Sequence, residues 1–174
     1  MTQLLIPIAA PVSEDNINGL PIEIEEFNGT LSCELAVSNY LNSKKIKKII
    51  VIIHGTISEN NGLTKVLKSI FDERLVIKKI YNFTLGAVCT ALMALDEIDL
   101  KENLIITSLD QVVDINIDKL INFFEKSSSA GGLVTFKSRN PRWSYALIEN
   151  ERVTQTAEKN PISTSAIAGI YFFK

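Results

Sequence analysis

The sequence predicts an α/β domain with a mixed, mainly parallel sheet. Short apolar runs rich in β-branched residues alternate with helical patterns over the first two thirds of the 174 residues. This alternation is typical of consecutive β–α–β units. The last third contains three extended segments instead, so we expect a meander or mixed edge there. At this length, residues 1–174 are expected to form a single domain with a full core.

The predicted elements follow one another closely. A first strand is expected over residues 4–8, a loop over 9–18 and half-exposed extended chain over 21–27. Thr30 is expected to cap the first helix. Later strands are predicted at 49–53, 75–80, 104–106 and 133–136, with a hairpin turning at 149–151. Later helices are predicted at 61–71, 86–95 and 117–126, the second apolar nearly all round and therefore deeply buried, the third with Leu120, Ile121, Phe123 and Phe124 inward.

The composition limits the possible functions. A formal net charge of −2, with 18 basic and 20 acidic residues, leaves no basic face for nucleic acid. No apolar run reaches the ~18 residues that span a bilayer, and the start lacks the basic region of a signal peptide. Cys33 and Cys89 both lie in apolar helical patterns. We therefore expect two buried thiols rather than a disulfide, in a reducing cytoplasm.

The candidate chemistry lies after the central strand. Residues 104–106 form a buried apolar run, and Ser108 and Asp110 follow at once. Ligands of open α/β sheets bind at the carboxyl ends of strands. A carboxylate there is well placed to hold Mg²⁺ against a phosphate. The alternative is that Asp110 is only a turn or capping acid.

Two further residues have alternative interpretations. Gly86 begins a helix, where a glycine lets a ligand approach the backbone N–H groups or lets the helix pack closely on the sheet. His54, the only histidine, ends the second long strand. Since no cysteine or acid stands near it at ligand spacing, we interpret it as a strand-end residue in a polar loop, not a metal ligand or base.

Four motifs, in order, resemble those of the sugar-phosphate nucleotidyltransferases, the nucleoside-diphosphate-sugar pyrophosphorylases. GAVCTAL at 86–92 resembles their glycine-started helix beside the nucleotide base, and SLDQ at 108–111 resembles their metal-carboxylate motif. PRWSYALIENERVTQTAEKNP at 141–161 resembles their Tyr…Asn…Val…Glu-Lys-x-Pro run, and AIAGIYFF at 166–173 resembles the strand that closes the sugar pocket. The resemblance, from Leu4 to the last residue, implies a three-layer α/β/α Rossmann-like nucleotidyltransferase fold, shared with the glycosyltransferase-A enzymes.

The resemblance also implies a reaction and its residues. In such enzymes a sugar 1-phosphate oxygen attacks the α-phosphorus of a nucleoside triphosphate, and pyrophosphate leaves; positioning and positive charge govern the rate. Asp110 would be catalytic and bind Mg²⁺. Lys159 would contact the sugar phosphate, unless it is a surface lysine paired with Glu158. The implied cofactor-binding residues are Ala9, Ala10, Gly86 and Ser108, and the implied substrate-binding residues are Tyr145, Glu158 and Gly169. The implied role is nucleotide-sugar supply for capsule or lipopolysaccharide.

The chain departs from this family in the loop after its first strand. Where the family has Ala-Gly-x-Gly-Ser/Thr-Arg, residues 9–14 read AAPVSE. Val12 replaces a glycine, Pro11 removes a backbone donor, Glu14 replaces the arginine, and Ile22 replaces the lysine of a Pro-Lys-Pro segment. Losing one transition-state donor typically costs ~10²–10³ in rate. We therefore expect weak or absent transfer activity.

Other functions and partners remain open. Arg139 or Arg142 could supply the missing positive charge. A relative without catalysis would bind a nucleotide, a sugar phosphate or a partner chain. A glycosyltransferase of related fold usually needs Asp-x-Asp, and Ser108 occupies the first position, which disfavours it. Because the family continues beyond its AIAGIYFF strand, ending at Lys174 implies either a shortened chain or a second copy or partner that covers an apolar strand edge.

Overall fold

The computed structural model describes residues 1–9 and 24–174, apart from the side chains of residues 57, 60 and 61. The predictions on the loop over 10–18, and on Ala10, Val12, Glu14 and Ile22, lie outside these residues. Within the described ranges the elements are β1 (Thr2–Ile8), β2 (Glu26–Phe27), β3 (Thr30–Leu31), α1 (Ser32–Leu41), β4 (Ile46–His54), α2 (Gly55–Asn61), α3 (Leu63–Ile70), β5 (Leu75–Ile80), α4 (Ala87–Leu92), β6 (Asn103–Ile106), α5 (Ile117–Lys126), β7 (Gly131–Lys137), β8 (Tyr145–Glu149), β9 (Arg152–Ala157) and β10 (Ser165–Phe173).

Eight strands form one mixed sheet in the order β5-β4-β1-β6-β10-β8-β9, with β7 also paired to β10. The first four strands of this order are mutually parallel. The strands of the last third join antiparallel. Residues 49–53 of β4 are all fully buried, as expected for a continuous apolar run with a layer on each face. The predicted mixed α/β sheet is confirmed.

Helices cover both faces of the sheet. On one face α1, α3 and α5 contribute Val37, Leu67 and Ile121 to the larger core cluster. On the other face α4 and the turns after it bring Ala94 and Ile98 against Leu5, Ile50 and Ile52. The result is a three-layer α/β/α sandwich whose second helical layer is thin. None of the helices in the described ranges is long and apolar enough to cross a membrane.

Several helix predictions are corrected. Thr30 pairs with Phe27 instead of capping α1, and the N–H of Leu31 donates to the Glu34 carboxylate at 3.0 Å. The helix predicted over 61–71 is found as α3, but it begins only after Gly62, which adopts φ +74° and separates it from α2. In α5, Phe124 packs inward and stacks on Phe172 at 5.0 Å, but Phe123 points to solvent because it lies on the other side of the helix.

The helix predicted to be deeply buried is largely exposed. Val88, Cys89 and Leu92 of α4 all face solvent, because the helix packs its small residues, such as Thr90, on the sheet. The two thiols therefore differ: Cys33 is buried in α1 and Cys89 is exposed. No disulfide joins them.

The last strand is paired on both sides. Phe172 of β10 lies between Ile105 of β6 and Gly132 of β7. β10 therefore has no open edge for a partner to cover, and association with a second copy or partner stays a prediction. The predicted hairpin is confirmed: β8 and β9 pair antiparallel around Asn150 and Glu151, both with positive φ, as a tight two-residue turn requires.

One buried hydrogen bond ties α1 to the end of the central strand. The Tyr40 hydroxyl donates to Thr107 Oγ1 at 3.3 Å, and burial raises the pKa of Tyr40 above its ordinary value of 10.0. We predict that Tyr40→Phe lowers the free energy of unfolding by about 0.5–1.5 kcal/mol at neutral pH. Urea denaturation measures this loss.

Burial of the Tyr40 hydroxyl gives a pH dependence of known sign, because it raises the pKa more than the hydrogen bond to Thr107 lowers it. Because the pKa of Tyr40 is higher in the folded than in the unfolded state, its contribution to the free energy of unfolding is fully present below pH 10.0. This contribution falls as the pH rises further. The difference between wild type and Tyr40→Phe should therefore narrow at alkaline pH. Tyr81→Phe is the control, because Tyr81 is exposed and no hydrogen bond of its hydroxyl joins it to the described residues. A gap that stays constant with pH would contradict the assignment.

Candidate functional site

A cavity of about 300 Å³ lies beyond the carboxyl end of β6. Three segments distant in sequence form its walls because β6 and β8 both pair with β10. The N–H of Ile167 in β10 also donates to the Ser144 carbonyl at 2.8 Å, which joins two of these walls. The lining residues are Ser108, Asp110, Gln111, Arg142, Trp143, Ser144, Ile167, Gly169 and Tyr171.

Three larger cavities lie elsewhere on the described part of the chain, one of them, of about 480 Å³, beside Arg139 and Pro161. Another, of about 790 Å³, lies between α3 and the edge strand β5, where Lys79 is paired with Glu59 at 2.8 Å. The third, of about 640 Å³, lies between α5 and the β8–β9 hairpin. None of these three cavities brings together two or more residues to which the sequence analysis assigned binding or catalysis, whereas the cavity beside β6 brings together Ser108, Asp110 and Gly169. We therefore take this cavity as the candidate site.

Gly169 shapes the cavity through its backbone and its lack of a side chain. It adopts φ +64°, where the pairing register of β10 with β7 is interrupted. A Cβ here would lie 2.0 Å from Nε2 of Gln111, so the Gln111 side chain covers the glycine. The same nitrogen donates to Ser108 Oγ at 2.9 Å. A strand-interrupting glycine thus lets an amide fix the loop that carries Asp110.

The charges around the cavity are not neutralised by one another. Asp110 is exposed and makes no hydrogen bond or ion pair with the described part of the chain. The Arg142 guanidinium lies over the Trp143 ring, 4.5 Å from its centroid, and no described carboxylate pairs with it. A carboxylate and a guanidinium lining one cavity suit a phosphate that arrives with a divalent cation.

Glu158 borders this cavity and affects one of its walls. Its carboxylate accepts a hydrogen bond from the Ser144 hydroxyl. Burial, and then the Glu158 charge, raise the pKa of Tyr171 above its ordinary value of 10.0. Tyr171 is therefore protonated at neutral pH and able to donate a hydrogen bond. Glu158 was predicted as a substrate-binding residue, but it does not line the cavity itself and contacts the lining residue Ser144 from behind.

Other predicted site residues do not line the cavity. Tyr145 is fully buried, and its hydroxyl donates to the Asn140 carbonyl at 2.8 Å, so it supports the segment that carries Arg142. Lys159 is exposed with φ +49° between β9 and β10. Gly86, with φ +122°, precedes the six-residue α4, and Ala9 is buried after β1. Their binding roles remain predictions.

Sequence reasoning overlooked part of the wall. Gln111, Trp143 and Tyr171 were not singled out, and Arg142 was named only as a compensating cation. All of them lie inside the quoted motifs, between one and three residues from positions that were named. That proximity is the signal that could have found them.

The residues present fit Mg²⁺ only with help from a ligand. In the described ranges no group of three or more His, Cys, Asp or Glu side chains converges. Asp110 is the cavity's one carboxylate, and Mg²⁺ commonly binds one or two carboxylates together with substrate phosphates and water.

His54 is not among the residues that line this cavity. It is buried at the end of β4 and not in a polar loop, with Nε2 3.1 Å from the Tyr81 carbonyl oxygen and its ring stacked on Phe83.

We predict that Gly169→Ala destabilises the fold more than Gly62→Ala. Both glycines have φ in the left-handed region, where a side chain costs roughly 1–2 kcal/mol, but a Cβ on Gly62 meets no atom within 4 Å. At Gly169 the Cβ also displaces Gln111 from Ser108, adding about 1 kcal/mol. Urea denaturation measures both. Adding Gln111→Ala to Gly169→Ala should remove the penalty of the clash, and equal losses at the two glycines would contradict this account.

The structural likeness to known proteins is extensive, although no protein-family model and no curated protein matches the sequence. The nucleoside-diphosphate-sugar pyrophosphorylase from Vibrio cholerae RC9 aligns with a TM-score of 0.74 and 21% identity over 98% of this chain and 72% of that one. A protein assigned as glucose-1-phosphate thymidylyltransferase from Bacillus anthracis aligns with a TM-score of 0.80 and 15% identity, over 100% of this chain and 72% of that one. The inositol-1-phosphate CTP transferase from T. maritima aligns with a TM-score of 0.75 and 10% identity, over 99% of this chain and 70% of that one. This chain has the three-layer α/β/α fold of the sugar-phosphate nucleotidyltransferases.

Proposed function

We propose that this chain binds a sugar phosphate in the cavity beside β6 and acts as a slow nucleotidyltransferase in nucleotide-sugar supply. The observation that supports the proposal is that Asp110 and Arg142 line one cavity and that neither forms an ion pair within the described part of the chain. Its volume of about 300 Å³ is at the lower end of ligand pockets. A monosaccharide phosphate is the class of ligand that combines this size with a need for a cation and a hydrogen-bonding wall.

Each wall has a role in this proposal. The Arg142 guanidinium would bind the phosphate oxygens in pairs, and the Trp143 ring beneath it limits the directions it can take. Asp110 would hold Mg²⁺, which neutralises phosphate charge when bound. The protonated Tyr171 hydroxyl would donate to an oxygen of the ligand, and Ser144 and Gln111 would contact sugar hydroxyls.

The proposed reaction is transfer of a nucleotidyl group. A phosphate oxygen of the bound sugar 1-phosphate would attack the α-phosphorus of a nucleoside triphosphate, and the bond to pyrophosphate would break. Glu14 and Ile22 stand where the resembled family has an arginine and a lysine, so the triphosphate lacks two cations. The reaction would therefore be slow. Its substrates would place the protein in the cytoplasm, in synthesis of capsule or lipopolysaccharide.

A second candidate function is binding without transfer. The specific observation that favours it is that Asp110 is the cavity's one carboxylate, while the loop replacements add a negative charge at Glu14. Such a protein would bind a sugar phosphate, a nucleotide-sugar or a partner chain and release no pyrophosphate. The two candidates share the cavity and differ only in turnover.

Binding is tested with a panel of sugar 1-phosphates and nucleotide-sugars, with and without Mg²⁺. A bound ligand must raise the melting temperature by mass action. We predict that Arg142→Gln weakens binding at least tenfold, because one charged pair is worth about 1.5–3 kcal/mol. Arg139→Gln is the matched control, since Arg139 lines a different cavity with Pro161 and Ser163. Equal effects of the two variants, or no ligand at millimolar concentration, would overturn the proposal.

Transfer is tested by pyrophosphate release from nucleoside triphosphates and a sugar 1-phosphate with Mg²⁺. We expect slow release that Asp110→Asn abolishes. Glu14→Arg with Ile22→Lys should raise the rate by ~10²-fold or more, because each restored donor is typically worth that much. Sugar phosphate binding with no release from either protein would overturn the transfer reaction and leave the binding function.

A further inference from the structure

The segment that brings Arg142 into the cavity wall begins at Asn140. The backbone N–H of Trp143 donates to the Asn140 carbonyl at 3.1 Å, which closes a β-turn over residues 140–143. The N–H of Arg142 donates to Oδ1 of the Asn140 side chain, also at 3.1 Å. Asparagine and proline favour the first and second positions of such a turn, and Pro141 stands second. Asn140 thus bonds the backbone of both Arg142 and Trp143.

Asn140 also joins this turn to the sheet. Its carbonyl accepts a second hydrogen bond, at 2.8 Å, from the hydroxyl of the fully buried Tyr145. Its N–H donates to Oγ of Ser138 at 3.1 Å, and the N–H of Ser138 donates to the Thr164 carbonyl at 3.1 Å. The N–H, the carbonyl and the side-chain oxygen of Asn140 are therefore all used to hold one turn between β7 and β8.

The turn sets Arg142 against a ring and not against a carboxylate. The Arg142 guanidinium carbon lies 4.5 Å from the centroid of the Trp143 ring. That ring in turn meets Phe136 of β7 edge to face, with the centroids 5.3 Å apart and the planes at 85°. Within the described ranges no carboxylate forms an ion pair with Arg142. A guanidinium stacked on a ring loses freedom of movement, but its charge and its N–H groups stay available to an anion.

We infer that Asn140 is a positioning residue, which holds Arg142 and Trp143 as one unit in the wall of the cavity beside β6. Asn140 is not among the residues that line this cavity, so it acts through the two that are. Its side-chain hydrogen bond is exposed to solvent, and the loss of such a bond should loosen the turn and leave the rest of the fold intact. The role of Asn140 in ligand binding rests on the proposed function, whereas its hold on the pair does not.

Quenching of tryptophan fluorescence tests the hold on the pair without a ligand. Trp143 is the only tryptophan in the sequence, so the whole signal comes from the cavity wall. The guanidinium over the ring should concentrate the anion iodide, whereas acrylamide is neutral. We expect Asn140→Ala to lower the ratio of iodide to acrylamide quenching towards the value of Arg142→Gln. Asn140→Ser should restore the ratio, because a serine hydroxyl can accept the same hydrogen bond. A ratio that Asn140→Ala leaves unchanged would overturn the inference.

Asn160→Ala is the matched control for this experiment. Asn160 is also an exposed asparagine that precedes a proline, but its side chain makes no hydrogen bond to the described part of the chain. The quenching ratio of Asn160→Ala should equal that of the wild type. Thermal unfolding checks that every variant folds. An equal fall of the ratio in Asn160→Ala, or a fall in Asn140→Ala that only accompanies a lower melting temperature, would indicate general loosening and overturn the inference.

A double-mutant cycle on ligand binding separates positioning from direct contact. With the sugar 1-phosphate that the wild type binds most tightly, Asn140→Ala should weaken binding about three- to tenfold, the equivalent of one hydrogen bond. In the Arg142→Gln background the same substitution should have no further effect, because Asn140 acts through Arg142. Equal losses in both backgrounds would overturn the positioning role and leave the proposed function standing. A wild type that binds no sugar phosphate would overturn the proposed function, while the quenching ratio still decides whether Asn140 holds the pair.

Discussion

Burial of the central parallel strands on both faces is the constraint on which the rest of the structure depends. β1 and β4 run side by side, and their central residues 4–6 and 49–53 are apolar and fully buried, so water is excluded from both faces of the sheet there. Parallel strands align their carboxyl ends, and the residues that leave the sheet there lie together at one rim. Asp110 reaches that rim four residues after β6 ends. The position of the candidate site is thus a consequence of core packing.

The antiparallel strands turn this rim into a cavity. β10 pairs with β6 and brings Gly169 and Tyr171 opposite the loop of Ser108 and Asp110. β8 adds the segment that carries Arg142, anchored by the buried Tyr145. The walls of the cavity belong to three separate stretches of sequence, and its two charged side chains, Asp110 and Arg142, come from two of them.

The sequence predicted the fold well and the site incompletely. Runs such as residues 49–53 are buried on both faces, because a continuous apolar pattern in an α/β domain is typical of a central parallel strand. The helix predicted over 86–95 was wrongly expected to be buried, because a helix that is apolar all round usually lies in the core. Periodicity does not show that only its small residues face the sheet. Tyr145 was predicted to bind substrate but does not line the cavity, because a motif gives the position of a residue and not the direction of its side chain. Gln111 and Trp143 escaped notice because their role arises from contacts with Ser108 and Arg142, which only the fold creates.

The double pairing of β10 has a consequence for how a ligand is recognised. Ile167, Gly169 and Tyr171 belong to a strand that is paired on both sides, so this wall of the cavity keeps its position whether or not a ligand is present. Asp110 and Arg142 face it from loops outside the sheet. A ligand group that lies against β10 would therefore be selected by steric exclusion, because a fixed wall loses little conformational entropy on binding.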